Sequence, residues 1–158
     1  MRTGIGIDAH RFVAGRALFL GGLEVPHPMG LAGHSDADVV LHALMDALLG
    51  ASGGGDIGEM FPDSDPAYEG ISSLELVGRV METVRRRGYG VLNADIAIIC
   101  EEPRIAPLSR AMAARIASGL GVDDGAVAVK GTTTEGMGFT GRGEGIMAIA
   151  SVLLDETG

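Results

Sequence analysis

Little in this sequence can be cross-linked, stacked or threaded through a membrane. A single cysteine, Cys100, excludes an intramolecular disulfide. Met1-Arg2-Thr3 runs directly into a strand pattern with no signal peptide ahead of it, so the expected setting is reducing and cytoplasmic. Tryptophan is absent and aromatics make up only 4% of the chain, which leaves an aliphatic core. No apolar run reaches the roughly 18 to 20 residues of a membrane span. Positive charge is also short: 12 Lys and Arg against 21 Asp and Glu give a net charge of −9. That balance argues against nonspecific binding to nucleic acid or to anionic lipid, both of which need a positive surface. An anionic ligand would need cations supplied locally.

Glycine is what the chain has in quantity. Its 26 glycines stand against six prolines and cluster at Ser52 to Asp56, at Gly131 and from Gly136 to Gly145, the pattern of specialised loops rather than low complexity. At 158 residues the simplest organisation is one domain over residues 1–158, long enough to bury a core.

Periodicity predicts a strand at 3–8, a hairpin of Ala17 to Leu20 and Leu23 to Val25 around Gly21-Gly22, and a helix over Ala37 to Leu49. Ser35 with Asp38 three residues on resembles a capping box for that helix. Residues Gly53 to Pro66 have no period and read as one long functional loop. A second helix is expected over Ser73 to Arg87, where Arg85, Arg86 and Arg87 offset the dipole at its C-terminal end. Val91 to Cys100 reads as a strand inside the sheet because Ile96 to Ile99 is apolar on both faces. A third helix over Pro107 to Ser118 and strands over Ala126 to Lys130 and Ile146 to Leu154 complete an α/β domain, a mixed β-sheet covered by helices.

Chemistry concentrates in two places. All four histidines lie in the first 42 residues. Asp8 and His10 are two apart in a strand and share a face, and the helix brings His42. One Asp and two His are a plausible set of three zinc ligands, which leaves a fourth position for water or substrate, as catalytic sites do. Asp38 and Asp46 each lie four residues from His42, so either can take its second imidazole N–H; Asp46 is preferred here. The alternative is that Asp8 and His10 are ordinary strand-end residues and His42 a hydrogen-bonded core histidine.

The other dense region is Lys130 to Gly145. A lysine at a strand end, the hydroxyls of Thr132, Thr133 and Thr134, the carboxylate of Glu135, and glycines around Arg142 suit a phosphate with a hard cation such as Mg²⁺. The competing reading is a capping box of Thr132 with Glu135 on a short helix.

Together, Gly4-Ile5-Gly6-Ile7-Asp8-Ala9-His10-Arg11-Phe12, Gly33-His34-Ser35-Asp36-Ala37-Asp38-Val39, Gly55-Asp56-Ile57-Gly58 through Phe61-Pro62-Asp63, and Lys130 through Gly145 closely resemble the 2-C-methyl-D-erythritol 2,4-cyclodiphosphate synthases of the non-mevalonate isoprenoid pathway. The resemblance covers the whole chain. It implies a homotrimer with active sites at the subunit boundaries and an apolar axial cavity able to take an isoprenoid diphosphate. The implied substrate is a cytidine diphosphate of methylerythritol 2-phosphate, and the implied products are the cyclic diphosphate and CMP.

The same resemblance implies Zn²⁺ or a similar divalent ion on Asp8, His10 and His42, and Mg²⁺ or Mn²⁺ on Glu135. His34 and Thr133 match positions that align the transition state. Ser35, Asp56, Ile57, Gly58 and Asp63 match the methylerythritol-phosphate pocket. Cys100, Glu101, Glu102, Pro103, Arg104, Ile105 and Ala106 match the cytidine pocket, with Thr132 and Thr133 near the diphosphate and Thr134 and Glu135 among the substrate-binding residues. Phe139 and Arg142 match residues at the substrate phosphate and the axial cavity. The chain departs from many relatives at Arg104, where they carry Lys, and at Ile5 and Ile7, where others have His or Phe. His27 matches no functional position and reads as an exposed turn residue before Pro28. Two other functions stay open on the sequence: a non-catalytic trimer that binds isoprenoid diphosphates, and a metal-dependent hydrolase.

Overall fold

In the computed structural model, which describes residues 1–62 and 64–157, the first strand β1 spans Arg2–Ala14, well beyond the expected 3–8. Glycine decides which way it faces. A Cβ at Gly4 would lie 2.0 Å from the Ala47 carbonyl oxygen and one at Gly6 1.9 Å from that of Ala43, so only glycine lets the helix carrying those alanines rest on the strand. Alternation then carries Asp8 and His10 along the same inward face and turns Ile5 and Ile7 outward, where they are 67% and 55% exposed.

The remaining strands are β2 (Leu18–Leu20), β3 (Leu23–Val25), β4 (Met29–Leu31), β5 (Tyr89–Ile99), β6 (Val127–Thr132) and β7 (Gly145–Glu156). β2 and β3 form the expected hairpin, Leu20 pairing with Leu23 across Gly21-Gly22. The other five make one sheet in the order β4-β1-β7-β5-β6, with only the β5–β6 pair parallel. The sheet is mixed, as expected, and β5 is internal.

The helix α1 (Val39–Ser52) has eleven of its fourteen residues buried, which places it between the sheet and α3 (Ser73–Arg86) rather than at the surface. It starts two residues later than expected. Ala37 has φ +58°, a left-handed conformation that no helix can include, and the cap is Asp38, not Ser35. The buried Asp38 carboxylate accepts from the backbone N–H groups of Val40 and Leu41 and also from Gly21 and Gly22, so one side chain starts α1 and anchors the hairpin.

α3 buries Leu76, Val77, Val80, Met81 and Val84, and α4 (Ser109–Leu120) buries Met112, Ile116, Ala117 and Leu120, each a stripe at helical spacing. Arg85 and Arg86 sit in the last turn of α3, and Arg85 donates to the Leu120 carbonyl at the end of α4. Two short helices were not visible in the periodicity: α2 (Ile57–Met60), capped by Asp56 inside the expected long loop, and α5 (Gly138–Gly141). Thr132 belongs to β6 and the α5 cap is Met137, so no Thr132–Glu135 capping box forms.

The helices lie on one face of the sheet. The expectation of a covered sheet therefore holds for that face alone. The other carries Ile5 and Ile7 beside half-buried Met147, Ile149 and Leu153 of β7. No helix among the described residues is long and apolar enough to cross a membrane.

Candidate metal centre and active site

Three ligand atoms converge where β1 passes the first turns of α1. His10 Nε2 lies 2.8 Å and His42 Nδ1 3.2 Å from Asp8 Oδ2, and the two ring nitrogens are 3.2 Å apart. A tetrahedral zinc with bonds of about 2.0–2.1 Å has ligand–ligand edges of about 3.3 Å, so the triangle is of the size such an ion needs. Among the described residues, Asp8, His10 and His42 are the one group of His, Cys, Asp or Glu atoms gathered this way.

Hydrogen bonds outside the triangle hold each imidazole in register. His10 Nδ1–H donates to the Ala32 carbonyl, so in the neutral ring Nε2 is the nitrogen that carries the lone pair and it is aimed inward. His42 Nε2 faces two hydroxyls, Ser35 Oγ at 3.1 Å and Ser73 Oγ at 3.2 Å, which leaves Nδ1 inward. Neither expected carboxylate takes this part: Asp38 is committed to capping, and Asp46 accepts from Ile57 N at 2.9 Å and so anchors α2. The Asp46 carboxyl is raised by burial and by the charges of Asp56 and Asp8, against the hydrogen bond from Ile57.

Burial opposes ionisation of Asp8, yet the close approach of the His10 and His42 rings, and their positive charge when protonated, win and hold its carboxyl well below the ordinary 3.8. For His10 burial pulls the other way too, and the Asp8 hydrogen bond and charge raise it above 6.5 despite the nearby Arg16. In metal-free protein the Asp8 contribution to stability is present above 3.8 and lost as pH falls through its lowered value. The His10 contribution is complete below 6.5 and lost as pH rises through its raised value. A metal ion competes with the proton on His10, so Zn²⁺ should raise the unfolding temperature more at about pH 8 than at about pH 6. Equal shifts at both pH values would remove His10 from the ligand set.

The triangle opens into a cavity of about 230 Å³ walled by Gly33, His34, Ser35, Ile57, Gly58 and Phe61, with Tyr68 edge-on to Phe61. Of the expected methylerythritol pocket, Ser35, Ile57 and Gly58 line it. Asp56 stands back as the α2 cap, accepting from Glu59 N, and Asp63 lies outside the described residues. His34 lines the same wall, and its buried Nε2 has no hydrogen-bond partner within the protein. Arg16 was not foreseen. Its guanidinium donates to the carbonyls of Gly33 and Ser35, on either side of His34, and so holds this loop from the β1–β2 turn.

The second set of expected residues forms a different surface. β5 and β6 are parallel and end together, and the loops beyond their carboxyl ends meet, the usual place for a ligand in such a sheet. Cys100 N donates to Thr132 O and Gly136 N to Glu101 Oε1, while a Cβ at Gly131 would strike Ile105. Thr133 Oγ1 and Glu135 Oε1 are 3.2 Å apart, with Glu135 in the left-handed region at φ +53°, a strained conformation for a residue other than glycine. Thr134 bonds to Thr140, and Arg104 and Ala106 are exposed. Burial pushes the Cys100 thiol up to about 11, so it is no nucleophile at neutral pH. Lys130 meets both oxygens of Asp95 in a solvent-exposed pair.

None of Cys100 to Ala106 or Thr132 to Glu135 lines the metal cavity. Glu101, Glu102 and Arg142 border another of about 300 Å³ with Phe12 and His27; His27 is stacked on Phe12 and bonded to Met29, not exposed as expected. Phe139 is exposed on α5, and Arg142 pairs with Glu144 at 2.7 Å.

The chain can be set beside known proteins on this geometry. Residues 1–155 match the profile of the YgbB family. A protein of Aromatoleum aromaticum named 2-C-methyl-D-erythritol 2,4-cyclodiphosphate synthase is 55% identical over 160 residues, covering 99% of this chain and 97% of its own. The solved bifunctional IspDF from Campylobacter jejuni superimposes with a TM-score of 0.94 at 42% identity, covering 98% of this chain and 42% of that one. IspF of Plasmodium falciparum, solved as a CDP complex, superimposes with a TM-score of 0.87 at 29% identity over 99% of this chain and 97% of its own.

Proposed function

Because this chain belongs to the YgbB family, whose relatives bear the name 2-C-methyl-D-erythritol 2,4-cyclodiphosphate synthase, we propose that it converts 4-diphosphocytidyl-2-C-methyl-D-erythritol 2-phosphate to 2-C-methyl-D-erythritol 2,4-cyclodiphosphate and CMP. The observation that carries this reading is the Asp8–His10–His42 triangle opening on a cavity whose wall includes His34 and Ser35. In the proposed step an oxygen of the 2-phosphate attacks the β-phosphorus. The bond from that phosphorus to the oxygen it shares with the α-phosphate breaks, and CMP departs as the anion. This is the chemistry of a phosphorus–oxygen lyase, and it uses no protein nucleophile.

The difficulty is two anionic groups brought together in a protein of net charge −9. Asp8, His10 and His42 would hold Zn²⁺ or a similar divalent ion, and Glu135 a second ion, Mg²⁺ or Mn²⁺. Bound there, such ions supply the positive charge the reaction needs. The work of the chain itself is positioning. His34 offers its unpartnered Nε2, Ser35 and Thr133 offer hydroxyls, and Asp56 with Ile57, Gly58 and Asp63 frames the methylerythritol diol. The 100–106 loop, with Thr132 and Thr134, reads cytidine and its phosphates, and Phe139 and Arg142 flank the substrate phosphate and the subunit axis.

The two half-sites come from opposite parts of one chain and do not line one cavity. A closed cyclic assembly joins such surfaces head to tail, so the working form in this reading is a homotrimer with sites shared between neighbours. The outward Ile5, Ile7, Met147, Ile149 and Leu153 support it, since a monomer seldom leaves so apolar a sheet face in water. The same side chains would line an axial cavity for an isoprenoid diphosphate. The single buried cysteine agrees with a cytoplasmic enzyme.

Release of CMP from the substrate is the first test. It should require divalent ions, and its absence with both Zn²⁺ and Mg²⁺ supplied would overturn the proposal. Glu135→Gln should retain zinc but need more Mg²⁺ or Mn²⁺ for half-maximal turnover, because an amide is a weaker ligand for a hard cation than a carboxylate. An unchanged midpoint in the metal titration would place the second ion elsewhere.

A further inference from the structure

The geometry points to Ser73 and Asp36 as a positioning pair that dictates which nitrogen of His42 meets the metal ion, a role resting on the metal centre proposed above. Ser73 is fully buried at the first position of α3, and its Oγ lies 3.2 Å from His42 Nε2 on one side and 2.5 Å from Asp36 Oδ1 on the other. Asp36 is itself pinned: Oδ2 accepts from Ser73 N at 2.9 Å and Oδ1 from Asp38 N at 3.2 Å.

Proton counting gives the direction of this chain of contacts. An ionised carboxylate can only accept, so the Ser73 hydroxyl hydrogen goes to Asp36. Ser73 Oγ then presents only lone pairs to His42, and His42 Nε2 must carry the ring hydrogen. Nδ1 is left unprotonated, pointing at Asp8 Oδ2 and His10 Nε2. A lone pair facing a carboxylate oxygen and a second ring nitrogen is favourable only with positive charge between them, a proton on His10 Nε2 or a metal ion in its place. The arrangement is a carboxylate–histidine–metal triad with a hydroxyl inserted, so Asp36 acts on the ion from two groups away.

Ser35 cannot replace the pair. Its Oγ is also near His42 Nε2 and accepts from Ala37 N, but no carboxylate fixes where its hydrogen points. With Ser73 alone removed, Ser35 can donate to Nε2 as readily as accept, and the competing tautomer puts a hydrogen where the ion belongs. The bland alternative is that Asp36 merely caps α3, since the Ser72 side chain makes no capping bond and Asp36 takes the Ser73 N–H instead.

Zinc affinity of metal-stripped full-length protein separates the two roles. Zn²⁺ dissociation constants, measured by competition with a chromophoric chelator, should rise about 10–100-fold in Ser73→Ala and in Asp36→Asn, the range for lost outer partners of a metal ligand. The double variant should bind no more weakly than Ser73→Ala alone, because both changes break one chain of contacts. Co²⁺ absorption of the variants should lose the intensity of a tetrahedral site. If Ser73→Ala does not fold, Asp36→Asn decides. Affinities within about twofold of wild type, with only the unfolding temperature lowered, or additive losses in the double variant, would overturn the pairing. A wild-type protein that binds no Zn²⁺ would overturn the metal centre itself, a different result.

Discussion

Replacing His42 by Ala should strip the protein of its zinc and cut turnover by more than about a hundredfold while the subunit stays folded. The threshold follows from what lesser changes do: losing only the outer partner of a ligand weakens a metal site about 10–100-fold, and losing one of three ligands outright must exceed that. Folding should survive because the residues that bury α1, among them Leu41, Leu44, Met45, Leu48 and Leu49, are untouched. His42 lies at the cavity wall, its imidazole against the side chains of Asp8, Ser35 and Ser73, and none of these contacts joins α1 to the sheet through backbone. Metal analysis, circular dichroism and CMP release on one preparation would read all three properties. Full activity in the metal-depleted variant would remove His42 from the chemistry.

The second large effect concerns where the two half-sites meet. Separately, His42→Ala and Thr133→Ala should each be inactive, the first lacking the metal half and the second a hydroxyl at the diphosphate. Co-refolded in equal amounts, they should regain activity. If a site takes its metal half from one subunit and its diphosphate half from the next, each half is intact with a chance of about one in two, so roughly a quarter of the sites recover. If both halves belonged to one subunit, every site in the mixture would stay broken. No rescue in mixed trimers of verified composition would rule out the shared arrangement.

How much of this could be read from residues alone differs from element to element. Asp8 and His10 were legible because a strand has a period of two and ligands at i and i+2 must share a face. The same period misleads about the sheet: in Gly4-Ile5-Gly6-Ile7 the buried side would be assigned to isoleucine. The structure buries glycine, because α1 packs backbone to backbone against β1, and the isoleucines face outward. A pattern of hydrophobicity cannot show that a helix needs room more than it needs a side chain.

The first turn of α1 failed for a related reason. Ser35 and Asp38 have capping-box spacing, but the left-handed Ala37 lies between them and shifts the cap to Asp38, whose oxygens also serve Gly21 and Gly22. α2 has only four residues and so no period to detect, although Asp56 as a capping residue was present in the sequence as a signal. Ser73, Asp36 and Arg16 were out of reach altogether. Ser73 meets His42 across 31 positions and Asp36 across 37, and Arg16 meets Gly33 across 17, contacts that only tertiary packing creates. The resemblance carried in Thr133 and Glu135 as residues expected at a diphosphate, and the structure adds that they adjoin each other on a surface apart from the metal cavity.

The fate of the β-phosphorus separates a cyclising enzyme from a hydrolase. Phosphorus NMR of the products from 4-diphosphocytidyl-2-C-methyl-D-erythritol 2-phosphate, with Zn²⁺ and Mg²⁺ present, distinguishes ring closure from attack by water. The prediction is one cyclic diphosphate, with both phosphorus atoms in the ring and no oxygen taken up from labelled water, formed in step with CMP. A linear product carrying solvent oxygen would contradict it and make the protein a metal-dependent hydrolase.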